Sequence, residues 1–144
     1  ITASWLLRRV FETASDYQTA RAMLRDQPSA AGAIYSLVGP APGQACVIER
    51  RPEEAHVIDG PATAANAWQA AGWRGRPRGE ANPGRLAALR DAEVPLDSAF
   101  AWLRPPVLNE TTRLVFVADP ASGAFVAQGW EANGPATAPL EAVA

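Results

Sequence analysis

Four short apolar runs, separated by turn residues, lie in the first half of the chain. They cover residues 33–38, 45–48, 55–58 and 62–65. Short runs that are rich in Val, Ile and Tyr and bounded by Pro and Gly are typical of β-strands. We therefore predict four strands here, with the polar residue Asn66 at the end of the fourth.

Apolar residues at helical spacing precede these runs. Leu6 and Val10 share one side of residues 2–13, and charged residues occupy the other side, which is the pattern of an amphipathic helix. A second helix is predicted over residues 15–26, because Ser15 is followed three residues later by Gln, as in a capping box. Both helices are expected to be structural.

A long segment without periodicity, residues 67–83, follows the predicted strands and is rich in Trp, Arg, Gly and Pro. Interleaved aromatic and basic residues are typical of segments that bind single-stranded nucleic acid. The net charge of the chain is −2, which leaves no extended basic face for such a partner. We predict instead that this loop forms a pocket wall, with Trp68 and Trp73 as substrate-binding residues.

The second half of the chain is predicted to contain two helices and a hairpin. The helices cover residues 84–90 and about 96–103. The hairpin pairs residues 113–118 with 124–128 across a turn that ends in Gly. Residues 131–144 have no pattern, so we predict a disordered tail there.

Helices and strand pairs thus come in blocks, which favours an α+β fold with antiparallel sheets. The 144 residues suffice for one hydrophobic core. No apolar run approaches the roughly 20 residues of a membrane-spanning helix. All 13 cationic residues are Arg and Ala is abundant, which suggests a GC-rich bacterial genome and leaves a cytoplasmic or a periplasmic location open.

Neither the single Cys nor the single His stands in a catalytic or metal-binding pattern. Cys46 lies inside an apolar run, whereas a reactive thiol needs a partly exposed, electropositive position. We therefore predict that Cys46 is a core residue. His56 has no ligand-spaced Cys or carboxylate around it, so no metal site and no cofactor are predicted.

Five motifs, taken in order, resemble a family of hydrolases. They are S-D-Y-Q-T-A at residues 15–20, I-Y-S-L-V-G at 34–39, G-Q-A-C-V-I-E-R at 43–50, A-A-N-A-W-Q at 64–69, and P-P-V-L-N with its hairpin at 105–129. Their order and spacing resemble the C-terminal part of the acid ceramidase and N-acylethanolamine acid amidase group. This group belongs to the N-terminal-nucleophile hydrolases, with penicillin V acylase and choloylglycine (bile-salt) hydrolase.

The resemblance implies a four-layer αββα sandwich, of which residues 1–130 form the C-terminal portion. The implied reaction is hydrolysis of a linear amide C–N bond in an N-acyl, fatty-acyl-like substrate. In that family, autoproteolysis exposes an N-terminal Cys whose thiolate attacks the carbonyl and whose α-amino group accepts the proton. This chain starts at Ile1, so we expect it to be a fragment that is inactive without the N-terminal half of the protein.

The resemblance also assigns site residues. Asn66 matches the Asn whose side-chain amide donates to the tetrahedral oxyanion. Arg85 is the first choice, and Arg78 the second, for the Arg that orients the surroundings of the nucleophile. Ala67 stands where the family often has an aromatic residue or His, so a different acyl pocket is expected. Two alternatives are an acyltransferase of the same superfamily and a non-catalytic binding module that retains the fold.

Overall fold

The computed structural model describes residues 1–76 and 78–142 and divides into two compact units, Ile1–Asn82 and Pro83–Ala144. Helices and antiparallel sheets are both present, which confirms the predicted α+β class. Residue 77 of the predicted pocket wall and residues 143 and 144 of the predicted tail lie outside the described residues. None of the described helices combines the length and the hydrophobicity of a membrane span.

Two amphipathic helices open the first unit. Helix α1 covers Ala3–Thr13 and helix α2 covers Tyr17–Asp26, in agreement with the predicted positions. The predicted cap of α2 is wrong by one residue, because the side chain of Asp16, not of Ser15, accepts the backbone N–H of Thr19, at 2.7 Å. A carboxylate at this position also interacts favourably with the positive end of the helix dipole.

The first unit contains a three-stranded antiparallel sheet in the order β1–β2–β3. Its strands are β1 (Ala33–Val38), β2 (Ala45–Arg50) and β3 (Ala55–Asp59). The predicted fourth strand, residues 62–65, does not form. That segment is rich in Ala, which has low β-propensity, and it follows a Gly-Pro turn. Asn66 therefore lies in a loop and not at the end of a strand.

The two faces of this sheet are covered differently. One face packs against α1 and α2, and Leu6, Leu24 and Ile48 form the centre of that core. The opposite face contains Val47 and Glu49, which are also buried. Because successive residues of a strand point to opposite faces, β2 contributes buried side chains to both sides of the sheet.

The described part of the second unit contains helix α3, apart from its first residue, and an antiparallel sheet. Helix α3 covers Asn82–Asp91, so it starts two residues earlier than predicted. The sheet contains β4 (Leu114–Ala118), β5 (Phe125–Glu131), β6 (Gly134–Pro135) and β7 (Leu140–Ala142). Strands β4 and β5 form the predicted hairpin, and both β6 and β7 pair with β5.

Two predictions for the second unit differ from the structure. Residues 96–103 form turns and bends in place of the predicted short helix, and Phe100 adopts a φ of 47°, which a right-handed helix does not allow. The segment from residue 131 to 142, predicted to be disordered, ends β5 and forms β6 and β7. The apolar pattern of these strands is too short to be detected in the sequence, since β6 has only two residues and β7 three.

Candidate functional site

A cleft of about 930 Å³ lies in the first unit. The described residues that line it are 31–34, 66–68, 73–76 and 78. One wall is thus the backbone that leads into β1, and the other is the loop that was predicted to form a pocket wall. The loop has little regular secondary structure, so its shape depends on side chains that hold its backbone.

The first of these side chains is that of Glu49. It is fully buried on the loop side of β2, and its carboxylate accepts the backbone N–H groups of Gln69 (2.6 Å) and Ala70 (2.8 Å). Hydrogen bonds to an ionised acceptor are stronger than those between neutral groups, and a buried carboxylate requires them. Glu49 therefore fixes the loop immediately after Trp68.

The second is that of Asn82, which is 5% exposed. Its side-chain oxygen accepts the backbone N–H of Asn66, and its Nδ2 donates to the carbonyls of Arg78 and Gly79, each at 3.1 Å. The backbone N–H of Arg78 also donates directly to the carbonyl of Asn66, at 3.3 Å. As a result, the backbones of Asn66 and Arg78 lie next to each other although the two residues are twelve positions apart in sequence.

Two tryptophans give the cleft its apolar surface. The rings of Trp68 and Trp73 meet edge to face, with centroids 5.2 Å apart and an interplanar angle of 80°. The indole of Trp68 also lies against two glycines. A Cβ on Gly32 would stand 3.1 Å from its Cζ2, and a Cβ on Gly75 would stand 2.8 Å from its Nε1, so larger residues would displace the ring.

Trp73 is held from its other side by Arg51. The guanidinium carbon of Arg51 lies 4.5 Å from the centre of the Trp73 ring, which is a cation–π contact. The same side chain donates to the carbonyl of Arg74 at 2.9 Å and pairs with Glu54 at 3.3 Å. Both tryptophans are therefore fixed by neighbours within the first unit.

The polar groups that face the cleft are an amide and three guanidinium groups. Asn66 is exposed, and within the described part of the chain its side-chain amide has no hydrogen-bond partner. Arg74, Arg76 and Arg78 are exposed too, and no described carboxylate lies within 4 Å of them. The amide and the guanidinium groups are available to bind a ligand.

Four of the five predicted site residues line this cleft, namely Asn66, Trp68, Trp73 and Arg78. The fifth, Arg85, lies on α3 in the second unit and is not among the described lining residues. The sequence interpretation missed Glu49 and Asn82, which hold the loop, and also Arg74 and Arg76. One signal for Glu49 was present, since it directly follows the apolar run of β2 and continues that strand.

The described lining residues supply an amide, three guanidinium groups and two indole rings. They include no Ser, Thr, Cys, Lys, His, Asp or Glu. Cys46 is fully buried in the helix-side core, as predicted. Among the residues that the structure describes, no group of three or more His, Cys, Asp and Glu side chains could hold a metal ion.

Comparison of the chain with protein-family models, with curated proteins and with solved structures finds no match. The chemistry of the cleft is consequently the basis for assigning a function.

Proposed function

We propose that this chain belongs to an amidase that hydrolyses a linear amide C–N bond in an N-acyl, fatty-acyl-like substrate. The observation that carries the proposal is the exposed, unpartnered side-chain amide of Asn66 in a cleft that also contains Trp68 and Trp73. The amide can donate to a carbonyl oxygen, and the two indole rings offer an apolar surface to the acyl chain.

In the proposed reaction, the nucleophile is an N-terminal Cys in a part of the same protein outside this chain. Its thiolate attacks the amide carbonyl while its α-amino group takes up the thiol proton. The tetrahedral oxyanion accepts a hydrogen bond from Asn66, which is worth on the order of 3 kcal/mol in acyl-transfer enzymes. The C–N bond then breaks, the amine leaves with the proton, and water hydrolyses the thioester to release the fatty acid.

The proposal assigns the orienting Arg to position 78. The backbone N–H of Arg78 donates to the carbonyl of Asn66, and Asn82 binds the backbone of both residues. The backbone of Arg78 is thereby held next to that of Asn66, whose side-chain amide donates to the oxyanion in this proposal. Arg85, the first choice from the sequence, is not among the described residues that line the cleft, so the proposal uses the second choice.

The four-layer αββα sandwich is part of the same proposal. One sheet face of the second unit exposes Leu114, Phe116 and Leu140, with between 56% and 67% of each residue accessible. Exposed apolar patches of this kind are covered by another layer or partner in many proteins. We propose that a layer from the remainder of the amidase covers this face.

The proposal is tested with the longer protein that includes the segment upstream of Ile1. Incubation with an N-acyl amide should release fatty acid, and mass spectrometry after acid quenching should detect a thioester on the N-terminal Cys. Alkylation of that Cys should abolish both signals. A longer protein without an N-terminal Cys after processing, or one that releases fatty acid without forming the thioester, would contradict the proposed mechanism.

A second candidate function is a binding module that retains this cleft without catalysis. It is favoured by one observation, that the described lining residues include no nucleophile and no general base. In that case the longer protein binds N-acyl amides and leaves them intact. An acyltransferase would instead transfer the acyl group to an added amine, so the product ratio between free acid and new amide separates it from a hydrolase.

A further inference from the structure

We propose that two copies of this chain pair antiparallel through the outer edge of strand β4, about a twofold axis at Phe116. The inference goes beyond the proposed function, because it concerns the sheet of the second unit and not the cleft. It starts from the position of β4 at the side of its sheet. Among the described strands, β4 pairs with β5 alone, which leaves its outer edge open.

The composition of this edge favours pairing with another strand. The five residues Leu114–Ala118 include no Pro and no charged residue, and their register with β5 has no bulge. Charged residues, Pro and bulges are the features with which proteins commonly keep an edge strand from pairing with other chains. Val and Phe also favour the extended conformation of a strand. An edge of this kind is therefore a site at which another strand can add to the sheet.

The backbone groups at the outer edge belong to alternate residues. The N–H of Asp119 donates to the carbonyl of Ala124 at 2.9 Å, and the carbonyl of Arg113 accepts the N–H of Trp130 at 3.0 Å. Because the direction of these groups alternates along a strand, the odd-numbered residues of β4 bond to β5 and the even-numbered ones direct their groups outward. Phe116 is the middle one of the three even-numbered residues. An antiparallel strand centred there can therefore bond to all three.

The edge is complementary to a second copy of itself. With Phe116 opposite Phe116 of the second copy, Leu114 lies opposite Ala118, and this pair occurs twice because the contact is symmetric. Arg113 and Asp119, one at each end of the strand, then also lie opposite each other. Neither forms an ion pair within the described part of the chain, and oppositely charged cross-strand neighbours stabilise a sheet. The opposite charges at the two ends thus favour a second copy as the partner and fix its register.

Pairing at the edge also extends the apolar face of the sheet. Leu114 and Phe116 are 67% and 56% exposed, and two copies side by side bring these side chains together where the sheets join. Aromatic cross-strand pairs, such as the one that the two Phe116 rings would form, add to the stability of a sheet. The face as a whole stays open, so the dimer is compatible with the additional layer of the proposed amidase.

The test begins with sedimentation velocity of this chain at a series of concentrations. An interface of one strand pair is small, so we expect a monomer at about 1 µM and a dimer at about 200 µM. Phe116→Lys and Phe116→Glu each place two like charges at the axis and should weaken the dimer by about tenfold or more. An equimolar mixture of the two variants should dimerise again, because opposite charges then face each other. The matched controls Leu140→Lys and Leu140→Glu change an exposed residue of the same face, two strands from β4, and should dimerise like the wild type.

Hydrogen exchange, read residue by residue by mass spectrometry, tests the same pairing without a substitution and decides the question if a variant does not fold. At the dimeric concentration, the amide N–H groups of Leu114, Phe116 and Ala118 should exchange more slowly than in dilute solution. Those of Val115 and Val117 face β5 and should exchange at an unchanged rate.

Each other outcome overturns the inference. It fails if the chain stays monomeric at the highest concentration, if the Phe116 variants dimerise like the wild type, or if their mixture stays monomeric. It also fails if Leu140→Lys weakens the dimer as much as Phe116→Lys, because the contact is then made by the sheet face, or if the outward N–H groups of β4 gain no protection. Failure of the proposed function would leave these results unchanged, since none of them depends on the cleft.

Discussion

Glu49 and Arg50 are two consecutive charged residues at the end of β2. Both are buried, and their side chains lie on opposite faces of the sheet. Glu49 holds the cleft loop. Arg50 donates to the carbonyls of Leu24 (3.1 Å) and Gln27 (3.0 Å), and so binds the C-terminal end of α2. The hydrophobic pattern predicted that the strand ends before them, because charged residues are rarely buried unless paired. Here backbone groups are their partners.

The residue-scale prediction concerns Glu49. In Glu49→Gln, one of the two backbone N–H groups faces a side-chain N–H and loses its acceptor. We expect the free energy of unfolding to fall by about 2 kcal/mol, as for a lost hydrogen bond to a charged group. Urea denaturation measures this change. The matched control is Glu53→Gln, in the exposed β2–β3 turn, which should be neutral. Equal stability of both variants would show that Glu49 does not hold the loop.

Helices and strands with a clear periodicity of apolar residues could be predicted from the sequence. Segments whose structure depends on one or two individual residues could not. Helices α1 and α2, strands β1 to β3 and the β4–β5 hairpin appear where their apolar patterns predict them. The Ala-rich run at 62–65 has apolar residues and lacks the β-branched side chains that favour a strand. Residues 96–103 have helical spacing, yet the positive φ of Phe100 is incompatible with a helix.

The element-scale prediction concerns the cap of α2. The backbone N–H of Thr19, followed by the hydroxyl of Ser15, holds the pKa of Asp16 below its usual value. A lowered pKa in the folded state means that this carboxylate stabilises the fold at neutral pH and that the contribution is lost as the pH falls through the acidic range. We expect the melting temperature of the wild-type chain to approach that of Asp16→Ala as the pH is lowered from 7 to 3.

The control for this prediction is Asp16→Asn. Asn is also a good N-cap, and it does not titrate. Its advantage over Asp16→Ala should therefore stay constant across the same range of pH. A difference between wild type and Asp16→Ala that is independent of pH would contradict the role of the ionised carboxylate.

At the scale of the whole molecule, the cleft joins parts of the chain that are far apart in sequence. Its walls come from residues 31–34 and from the loop that begins at Asn66, and Glu49 and Asn82 hold the loop. The Trp and Arg residues of the loop could be singled out from the sequence, because this segment has no periodicity and is rich in aromatic and basic residues. The sequence could not indicate which Arg lies beside Asn66 in the fold. That depends on backbone hydrogen bonds between positions 66, 78 and 82, which have no local pattern.

The central claim is that the Asn66 amide stabilises negative charge in the transition state, and turnover by Asn66→Ala tests it most directly. The substitution leaves the backbone N–H that Asn82 accepts in place, so the fold of the loop should be retained. In the proposed amidase we expect kcat to fall by about 10²–10³ with little change in KM. Asn133→Ala, in an exposed turn, should keep full activity. An Asn66→Ala enzyme with unchanged kcat would contradict the account.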